Sequence, residues 1–213
     1  MSSVTVGIFG YPWKLGNEKW PEELDLGGKK VLSHLLEKIS EISDEIIIVA
    51  SSQNQALLIK RIMESEGFLG AKESILDSSG NVLEMTLKLI QSANGEKLLI
   101  VPSSSPFVPT EVIMLLLDLL EGRDGVFLRD KLGNLYKRLF SLRRRTSLEA
   151  ITFEKEVNKD LKDIPMKLRK TMAISWNAVS SLDPLHLSYF SIATEEDYFS
   201  AKKLLSRVRK EIE

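Results

Sequence analysis

Short apolar runs of strand length alternate with amphipathic helical segments along this chain of 213 residues. Apolar runs bounded by polar turns are typical of buried strands, and strands that alternate with helices pair mainly in parallel because each helix returns the chain to the same edge of the sheet. We therefore predict an α/β fold, a three-layer α/β/α sandwich around a mixed, mostly parallel sheet. The predicted strands cover residues 4–9, 45–50, 97–101, 125–128, 135–142 and 171–175.

Helical periodicity fills most of the intervals between these runs. In residues 29–42, for example, Val31, Leu35 and Ile39 fall on one face, which is typical of a helix that covers a sheet. In the last segment, Thr194 is predicted to be the N-cap, with Asp197 as its reciprocal partner. The predicted helices cover residues 29–42, 54–66, 81–93, 109–121, 147–161 and 195–212.

The composition excludes several classes of protein. The sequence has no cysteine, which removes disulfides, thiolate metal ligands and thiol nucleophiles. Its net charge of -1 provides no general attraction to nucleic acid. It also lacks an apolar run of the roughly 20 residues that are needed to cross a bilayer. We expect a single domain over residues 1–213, a cytoplasmic location and no membrane partner.

The first predicted strand runs directly into a loop that carries glycines and lysines. Gly10 and Gly16 allow backbone N–H groups to approach phosphate oxygens without interference from a Cβ atom, and Lys14 and Lys19 add mobile positive charge. This combination predicts a phosphate-binding loop. The glycines also suit a long turn without a ligand, and that structural role is compatible with binding.

A second buried strand, residues 97–101, ends in a polar turn that contains Ser103, Ser104 and Ser105, called the serine triplet below. Ligands of parallel sheets bind beyond the carboxyl ends of the strands, so we expect the serine triplet, the glycine loop and Asp77 to open onto one crevice. Two roles remain open for the triplet: a turn that begins the next helix, or a nest of N–H groups that binds an anion. Asp77 likewise either forms an Asx turn or contacts a ligand.

The glycine loop resembles the signature of the molybdenum cofactor guanylyltransferase family, Leu-Ala-Gly-Gly-x-Ser-x-Arg-Met-Gly-x-x-Lys. Gly10, Gly16 and Lys19 match that signature, and Lys14 stands at its arginine. The family belongs to the nucleotidyltransferases with a glycosyltransferase-A type fold. The resemblance spans nearly the whole chain and implies a nucleotide-diphospho-sugar transferase-like sandwich. Further segments that are similar to family motifs, in the same order, are residues 26–32, 139–144 and 190–197.

The resemblance also implies a reaction and a site. Family members transfer a nucleotidyl group from GTP to molybdopterin, a small phosphorylated acceptor, and release pyrophosphate. By resemblance, Lys19 and Lys14 are the candidate catalytic residues that neutralise charge on the phosphates, and Asp77 is the candidate ligand of Mg²⁺. The candidate nucleotide-binding residues are Gly7, Ile8, Phe9, Gly10, Gly16, Lys19, Ser52, Asp77 and Ser104.

Departures from the family pattern affect the chemistry. The central loop of the family reads Cys-Asp-x-Pro-Phe and its aspartate binds Mg²⁺, whereas this chain has Ser104 at that place. Ser191 and Ala193 replace two family asparagines near the C-terminal strand. Phe9 replaces a glycine where a nucleotide would lie, and we expect its ring to reshape the pocket.

Two hypotheses follow from these departures. In the first, the chain is a divergent nucleotidyltransferase whose metal ligand is Asp77, with Asp25, Asp130 and Asp183 as substitutes. In the second, it is a nucleotide- or phosphate-binding regulatory protein with little transfer activity. A carboxylate close to Ser104 in the folded chain favours the first hypothesis, and its absence favours the second.

A third hypothesis concerns basic residues in and after the predicted strand 135–142. Basic side chains next to aromatic rings can pair with phosphates and stack on bases, as nucleic-acid sites require. The near-neutral net charge and the shortness of the patch argue against nucleic acid as a partner. The residues concerned are Tyr136, Lys137, Arg138, Phe140, Arg143, Arg144 and Arg145.

Overall fold

The computed structural model of the chain describes residues 3–10, 12, 14–16, 18–68, 71–79, 81–156 and 168–212. The end of the predicted helix 147–161 lies outside these residues. The strands are β1 (Val4–Phe9), β2 (Asp25–Leu26), β3 (Lys29–Lys30), β4 (Glu45–Ala50), β5 (Ala71–Leu76), β6 (Lys97–Pro102), β7 (Gly125–Arg129), β8 (Leu135–Arg143) and β9 (Thr171–Ile174).

The longer strands form one seven-stranded sheet in the order β5-β4-β1-β6-β8-β7-β9. β8 is antiparallel to both of its neighbours, β6 and β7. The other neighbouring strands of this sheet pair in parallel. The prediction of a mixed, mostly parallel sheet is therefore confirmed.

Helices cover both faces of the sheet. Leu35 of α1, Ile59 of α2 and Leu116 of α4 belong to the apolar cluster on one face, whereas Leu89 of α3 and Ala150 of α5 belong to the cluster on the other. This arrangement confirms the three-layer sandwich. The helices are α1 (Val31–Ile39), α2 (Gln53–Ser65), α3 (Val82–Ser92), α4 (Thr110–Asp118), α5 (Arg144–Glu156), α6 (Trp176–Val179) and α7 (Glu195–Ile212), and short 3-10 turns cover Pro21–Glu23 and Leu187–Tyr189.

Some elements differ from the sequence prediction. β5 is not among the predicted apolar runs because Lys72 and Glu73 interrupt its apolar character, but the expected place of Asp77 at the crevice implies a short strand that ends before it. The predicted helix 29–42 is shorter in the structure, since Lys29 and Lys30 pair with β2 and α1 begins at Val31. α5 begins at Arg144, directly after β8 and before the predicted start at residue 147. Periodicity locates the middle of an element, whereas its ends depend on local hydrogen bonding.

The N-terminus of α7 has the predicted reciprocal cap. The backbone N–H of Asp197 donates to Thr194 Oγ1 at 3.1 Å, and the backbone N–H of Thr194 donates to Asp197 Oδ2 at 2.9 Å. The cap satisfies N–H groups that the first helical turn leaves without partners. α7 then packs Ala201 into a small apolar cluster with Leu15 and Phe107, which holds the C-terminal helix against the glycine loop.

The carboxyl ends of four neighbouring strands lie side by side at one edge of the sheet. In three backbone hydrogen bonds, the residue just beyond one strand donates to the end of the neighbouring strand. They are Asp77 N–H to Ala50 O at 2.8 Å, Gly10 N–H to Val49 O at 2.7 Å and Ser103 N–H to Phe9 O at 2.9 Å. The turns after β5, β1 and β6 therefore open at the same edge, where ligands of such sheets bind. No helix in the described part of the chain has the length and apolar character needed to span a membrane.

Candidate functional site

Gly10 stands at the end of β1, where the backbone closely approaches the side chain of Gln55. A Cβ atom added at Gly10 would lie 2.7 Å from Gln55 Oε1, so no larger residue fits there without a shift of the amide. Gln55 is fully buried in the first turn of α2. The glycine predicted for phosphate approach is thus also required by the packing of its own loop.

A buried hydrogen-bond network extends from Gln55 to the serine triplet through Glu22. The backbone N–H and the hydroxyl of Ser51 each donate to Gln55 Oε1 at 2.9 Å. Gln55 Nε2 donates to Glu22 Oε1 at 2.9 Å, and the Ser103 hydroxyl donates to the same carboxylate oxygen at 2.6 Å. The network ties the turns after β4 and β6 to the short helix that follows the glycine loop, and therefore fixes their relative positions.

Sequence reasoning missed Glu22. It is followed by Glu23 and precedes no predicted element, so the pair looks like a solvated acidic surface. In the structure the Glu22 side chain is fully buried, which is rare for a glutamate unless hydrogen bonds compensate for its lost hydration. The Trp20-Pro21 dipeptide before it is a weak signal of a turn into the core.

The serine triplet is fully buried. Ser104 accepts a backbone hydrogen bond of 2.9 Å from the N–H of Ile192, so the segment before α7 lies against the triplet. Within the described part of the chain, the hydroxyl oxygens of Ser104 and Ser105 are buried and have no hydrogen-bond partner. Buried hydroxyls without partners are destabilising, and a bound anion is one group that would satisfy them.

Leu15 anchors the glycine loop, because within residues 14–16 only its side chain is buried. The Leu15 N–H donates to Lys19 O at 2.9 Å, and the Glu18 N–H donates to Leu15 O at 2.9 Å, which closes a tight turn. Lys14 and Lys19 are exposed on this turn. Gly16 lies near the carboxylate of Glu195, 3.1 Å from the place where a Cβ would stand.

The position of Lys19 relative to the serine triplet follows from the chain connection. Glu22, which contacts Ser103, comes three residues after Lys19. Three residues span at most about 10 Å, so the lysine backbone stays within that distance of Glu22. This bound keeps the end of the glycine loop close to Glu22, and a contact of Lys19 with a phosphate bound at the serine triplet stays a prediction.

Gly7 and Ile8 do not fit the expected nucleotide-binding role. Both are buried inside β1, and Ile8 packs in the core. A Cβ at Gly7 would lie 2.3 Å from Leu89 Cδ2, so the glycine allows α3 to pack closely on the sheet. The expectation that the Phe9 ring reshapes the pocket also changes. The ring is only 8% exposed and packs in the core cluster with Val49 and Leu83 instead of in the crevice.

Ser52 lies at the same edge of the sheet and is the N-cap of α2. Its hydroxyl accepts a hydrogen bond of 3.3 Å from the Gln55 N–H. The side chain is half-buried, which leaves part of it facing the edge where ligands are expected. Its described contact is structural, and a nucleotide contact stays a prediction.

Asp77 is buried at the end of β5 and forms an Asx turn. Its Oδ1 accepts a hydrogen bond of 2.8 Å from the Ser79 N–H, and the Ser79 hydroxyl donates to the same oxygen. Lys88 of α3 lies 3.0 Å from Oδ2. Burial raises the pKa of Asp77, but the hydrogen bonds from Ser79 and Lys88 outweigh it and hold the pKa below its ordinary value.

The structure does not bring Asp77 to Ser104. β4 and β1 lie between β5 and β6, and neighbouring strands are about 4.8 Å apart, so the ends of β5 and β6 are separated by about 14 Å. A Mg²⁺ ion takes oxygen ligands at about 2.1 Å, which excludes one ion bound to both residues. Asp77 remains at the carboxyl edge of the sheet, where its contact with a ligand stays a prediction.

The alternative carboxylates accept hydrogen bonds from backbone N–H groups of their own turns. Asp25 accepts a hydrogen bond from the Gly28 N–H, Asp130 from the Leu132 and Asn134 N–H groups, and Asp183 from the Leu187 and Ser188 N–H groups. Within the described residues there is no group of three or more His, Cys, Asp or Glu side chains that could hold a metal ion.

Glu22 brings a carboxylate to the serine triplet through its contact with Ser103, and a carboxylate within metal reach of Ser104 stays a prediction of the enzyme hypothesis. Glu22 is fully buried, however, and its Oε1 already accepts hydrogen bonds from two side chains, so it is poorly placed to exchange them for a hydrated cation. The donor set around the triplet therefore does not fit the Mg²⁺ site that the family resemblance implies.

The basic residues of β8 do not form the single patch expected for nucleic acid. Arg138 and Arg143 are five residues apart on one strand, which separates them by about 17 Å. Arg143 forms an ion pair with Glu96 at 2.6 Å, and Arg144 donates to Ile90 O at 2.9 Å, both at the edge opposite the crevice. Arg138 lies at the crevice edge, where it donates to Ser191 Oγ at 2.7 Å.

Comparison with known proteins confirms the family resemblance. No family model matches the chain. Over 187 residues the chain is 25% identical to a probable molybdenum cofactor guanylyltransferase of Methanosarcina acetivorans, covering 82% of this chain and 78% of the relative.

Solved structures confirm the nucleotidyltransferase fold. Molybdopterin-guanine dinucleotide biosynthesis protein A from Archaeoglobus fulgidus superposes with a TM-score of 0.72 at 18% identity, over 96% of this chain and 99% of that one. A 4-diphosphocytidyl-2C-methyl-D-erythritol synthase from Anaerococcus prevotii gives 0.71 at 15% identity, over 96% of each chain. At these identities the similarity establishes the fold.

Proposed function

We propose that the chain is a nucleotidyltransferase that binds a nucleoside triphosphate at the carboxyl edge of its sheet. The observation that carries the proposal is the convergence of the Gly10 loop, the Ser51 turn and the serine triplet, which the Glu22 network holds together. The guanylyltransferase relative from Methanosarcina acetivorans supports GTP as the donor. A molybdopterin-like compound is the acceptor that the same similarity favours.

The proposed reaction forms one bond and breaks one. A phosphate oxygen of the acceptor attacks the α-phosphorus of the triphosphate, and the bond to the β-phosphate oxygen breaks, so that pyrophosphate leaves. Negative charge develops on the leaving group, and Lys14 and Lys19 on the glycine loop supply the ammonium groups to stabilise it. Preorganised turns keep these groups and the backbone amides aligned without reorganisation during the reaction.

A second function is favoured by the composition of the triplet. Ser104 has no charge at the position where the family has a metal-binding aspartate, and the end of β5 that carries Asp77 is about 14 Å from the end of β6. Loss of one electrostatic element commonly lowers the rate by about 10²–10³-fold. A chain with this site can serve as a nucleotide- or phosphate-binding regulatory protein with little turnover.

Calorimetry followed by a turnover assay separates the two functions. Binding of GTP, CTP and ATP is measured with and without Mg²⁺, and pyrophosphate release is then measured with molybdopterin as the acceptor. Binding with acceptor-dependent release supports the transferase. Binding without release supports the regulatory protein, and absence of binding by all three nucleotides contradicts both.

A further inference from the structure

We propose that Arg138, next to the serine triplet, binds a phosphoryl group in this crevice and takes the place of a divalent cation there. The inference rests on the proposed nucleotide-binding function and adds to it the residue and the charge that hold the phosphate. It also predicts that phosphate recognition by this chain does not require a metal ion.

The direction of β8 places Arg138 at the same edge of the sheet as the triplet. β8 runs antiparallel to its neighbour β6, and Ile100 opposite Phe140 is the last pair toward the crevice. Arg138 lies two residues beyond that pair on β8, where the pairing of β8 with β7 is irregular, and Ser103 lies three residues beyond it, directly after β6. Arg138 and the triplet therefore follow the crevice ends of two neighbouring strands.

Two hydrogen bonds lead from the guanidinium group to the triplet. Arg138 donates to Ser191 Oγ at 2.7 Å, and the next residue, Ile192, donates its backbone N–H to Ser104 O at 2.9 Å. Arg138 is exposed, so its guanidinium group has access to a ligand while Ser191 orients it. A guanidinium group suits phosphate because its N–H groups match the spacing of the phosphate oxygens.

The buried hydroxyls are the second, independent observation. Ser104 Oγ and Ser105 Oγ are shielded from solvent and lack hydrogen-bond partners in the described part of the chain. Hydroxyl groups donate well to phosphate oxygens, which satisfies a polar group that otherwise lowers stability. The triplet and Arg138 together provide the hydrogen-bond donors and the positive charge that an anion site needs.

The balance of charge explains why a serine is suitable at position 104. An aspartate there would require a cation between its own negative charge and that of the phosphate. With serine at this place the triplet adds no further carboxylate to that of Glu22, which contacts Ser103, and the arginine on the neighbouring strand provides positive charge from the protein itself.

The test uses the full chain in buffer that contains EDTA. Inorganic pyrophosphate and GTP are titrated by calorimetry into the unaltered protein and into Arg138→Gln, Arg138→Lys and Arg145→Gln. Arg145 is also exposed but lies beyond the opposite end of β8, so its variant removes the same charge away from the site. Circular dichroism melting curves check that each variant is folded.

Metal-free binding of both probes by the unaltered protein is the expected result. Arg138→Gln should weaken it by about 10- to 100-fold, because a charge-assisted hydrogen bond is lost. Arg138→Lys should recover part of the affinity, and Arg145→Gln should change it less than about 3-fold, as expected for a distant screened charge.

Four outcomes overturn the inference. Binding that appears only when Mg²⁺ is added rejects metal-free recognition and leaves the proposed nucleotide-binding function standing. Equal affinity of Arg138→Gln and the unaltered protein rejects only the role of Arg138. A loss of affinity in Arg145→Gln as large as that in Arg138→Gln has the same consequence. Absence of GTP binding under every condition rejects both the inference and the proposed function.

Discussion

The hydroxyl of Ser103 donates a 2.6 Å hydrogen bond to the carboxylate of Glu22, and both side chains are fully buried. The two residues are far apart in sequence, and their contact holds the turn after the sixth strand against the helix that follows the glycine loop. The candidate site therefore depends on a buried polar contact whose removal has consequences for stability as well as for binding.

Glu22→Ala should lower the free energy of unfolding by about 2–4 kcal/mol, because the Ser103 hydroxyl and the Gln55 amide lose their common acceptor inside the protein. Urea denaturation followed by circular dichroism measures the change. Glu23→Ala is the matched control: Glu23 is only half-buried and accepts a backbone hydrogen bond of 2.9 Å from Trp20, so about 1 kcal/mol or less is expected. Equal losses in the two variants would contradict the importance of the network.

Lys19→Ala should weaken nucleotide binding by about 1.5–3 kcal/mol, the value of a hydrogen bond to a charged group. Calorimetry with GTP measures the loss. Lys60→Ala, an exposed lysine on the second helix, removes the same charge elsewhere and should leave the affinity unchanged. Unchanged binding by Lys19→Ala would remove this residue from the site.

Gly7→Ala should lower the free energy of unfolding by about 1–3 kcal/mol through overpacking, because its Cβ would lie 2.3 Å from Leu89 Cδ2. Its nucleotide affinity, measured on the folded protein, should not change, since Gly7 is buried inside the first strand. A specific loss of affinity at unchanged stability would restore the nucleotide-binding role predicted from the sequence.

Asp77→Asn should make stability less dependent on pH in the acid range. The pKa of Asp77 in the folded protein lies below its ordinary value of 3.8, so the stabilising effect of the carboxylate is fully present above that value and is lost as the pH falls through the folded pKa. The difference in unfolding free energy between the unaltered protein and Asp77→Asn should therefore be largest near neutral pH. It should decrease as the pH falls below 3.8.

Lys88→Gln serves as the companion variant for this pH series. It removes the ammonium group 3.0 Å from the Asp77 carboxylate but leaves the hydrogen bonds from Ser79 in place. We expect a partial loss of the same acid-range dependence. Parallel stability curves for the unaltered protein and Asp77→Asn at every pH would show that the carboxylate contributes nothing through its charge.

Much of the fold could be predicted from local patterns. Apolar runs such as 4–9 and 45–50 form strands because the core offers them burial on both faces, and Val31, Leu35 and Ile39 cover the sheet because they share one helical face. The reciprocal cap of Thr194 and Asp197 is similarly local. Hydropathy does not reveal the fifth strand, because Lys72 and Glu73 interrupt its apolar run, and only the expected place of Asp77 at the crevice indicates a strand end there.

The candidate site was predictable only in part. The glycine loop and the serine triplet are recognisable because strand ends of a parallel sheet face one edge. The burial of Glu22 beneath them gave no local signal, since two adjacent glutamates look like a solvent-exposed surface. The family resemblance includes Gly7 and Ile8 among the nucleotide-binding residues, but in the structure both are enclosed by the sheet and the third helix.

The sequence by itself determined which segments become strands and helices and which polar turns end the strands, because those properties depend on periodicity over a few residues. Only the tertiary structure decided the order of the strands across the sheet. That order separates Asp77 from Ser104 by two strands, puts Arg138 on the strand next to the one that ends at the serine triplet and places Arg143 at the far edge. The physical reason is that distances across a sheet are set by crossovers and packing between segments remote in sequence, which spacing along the chain does not encode.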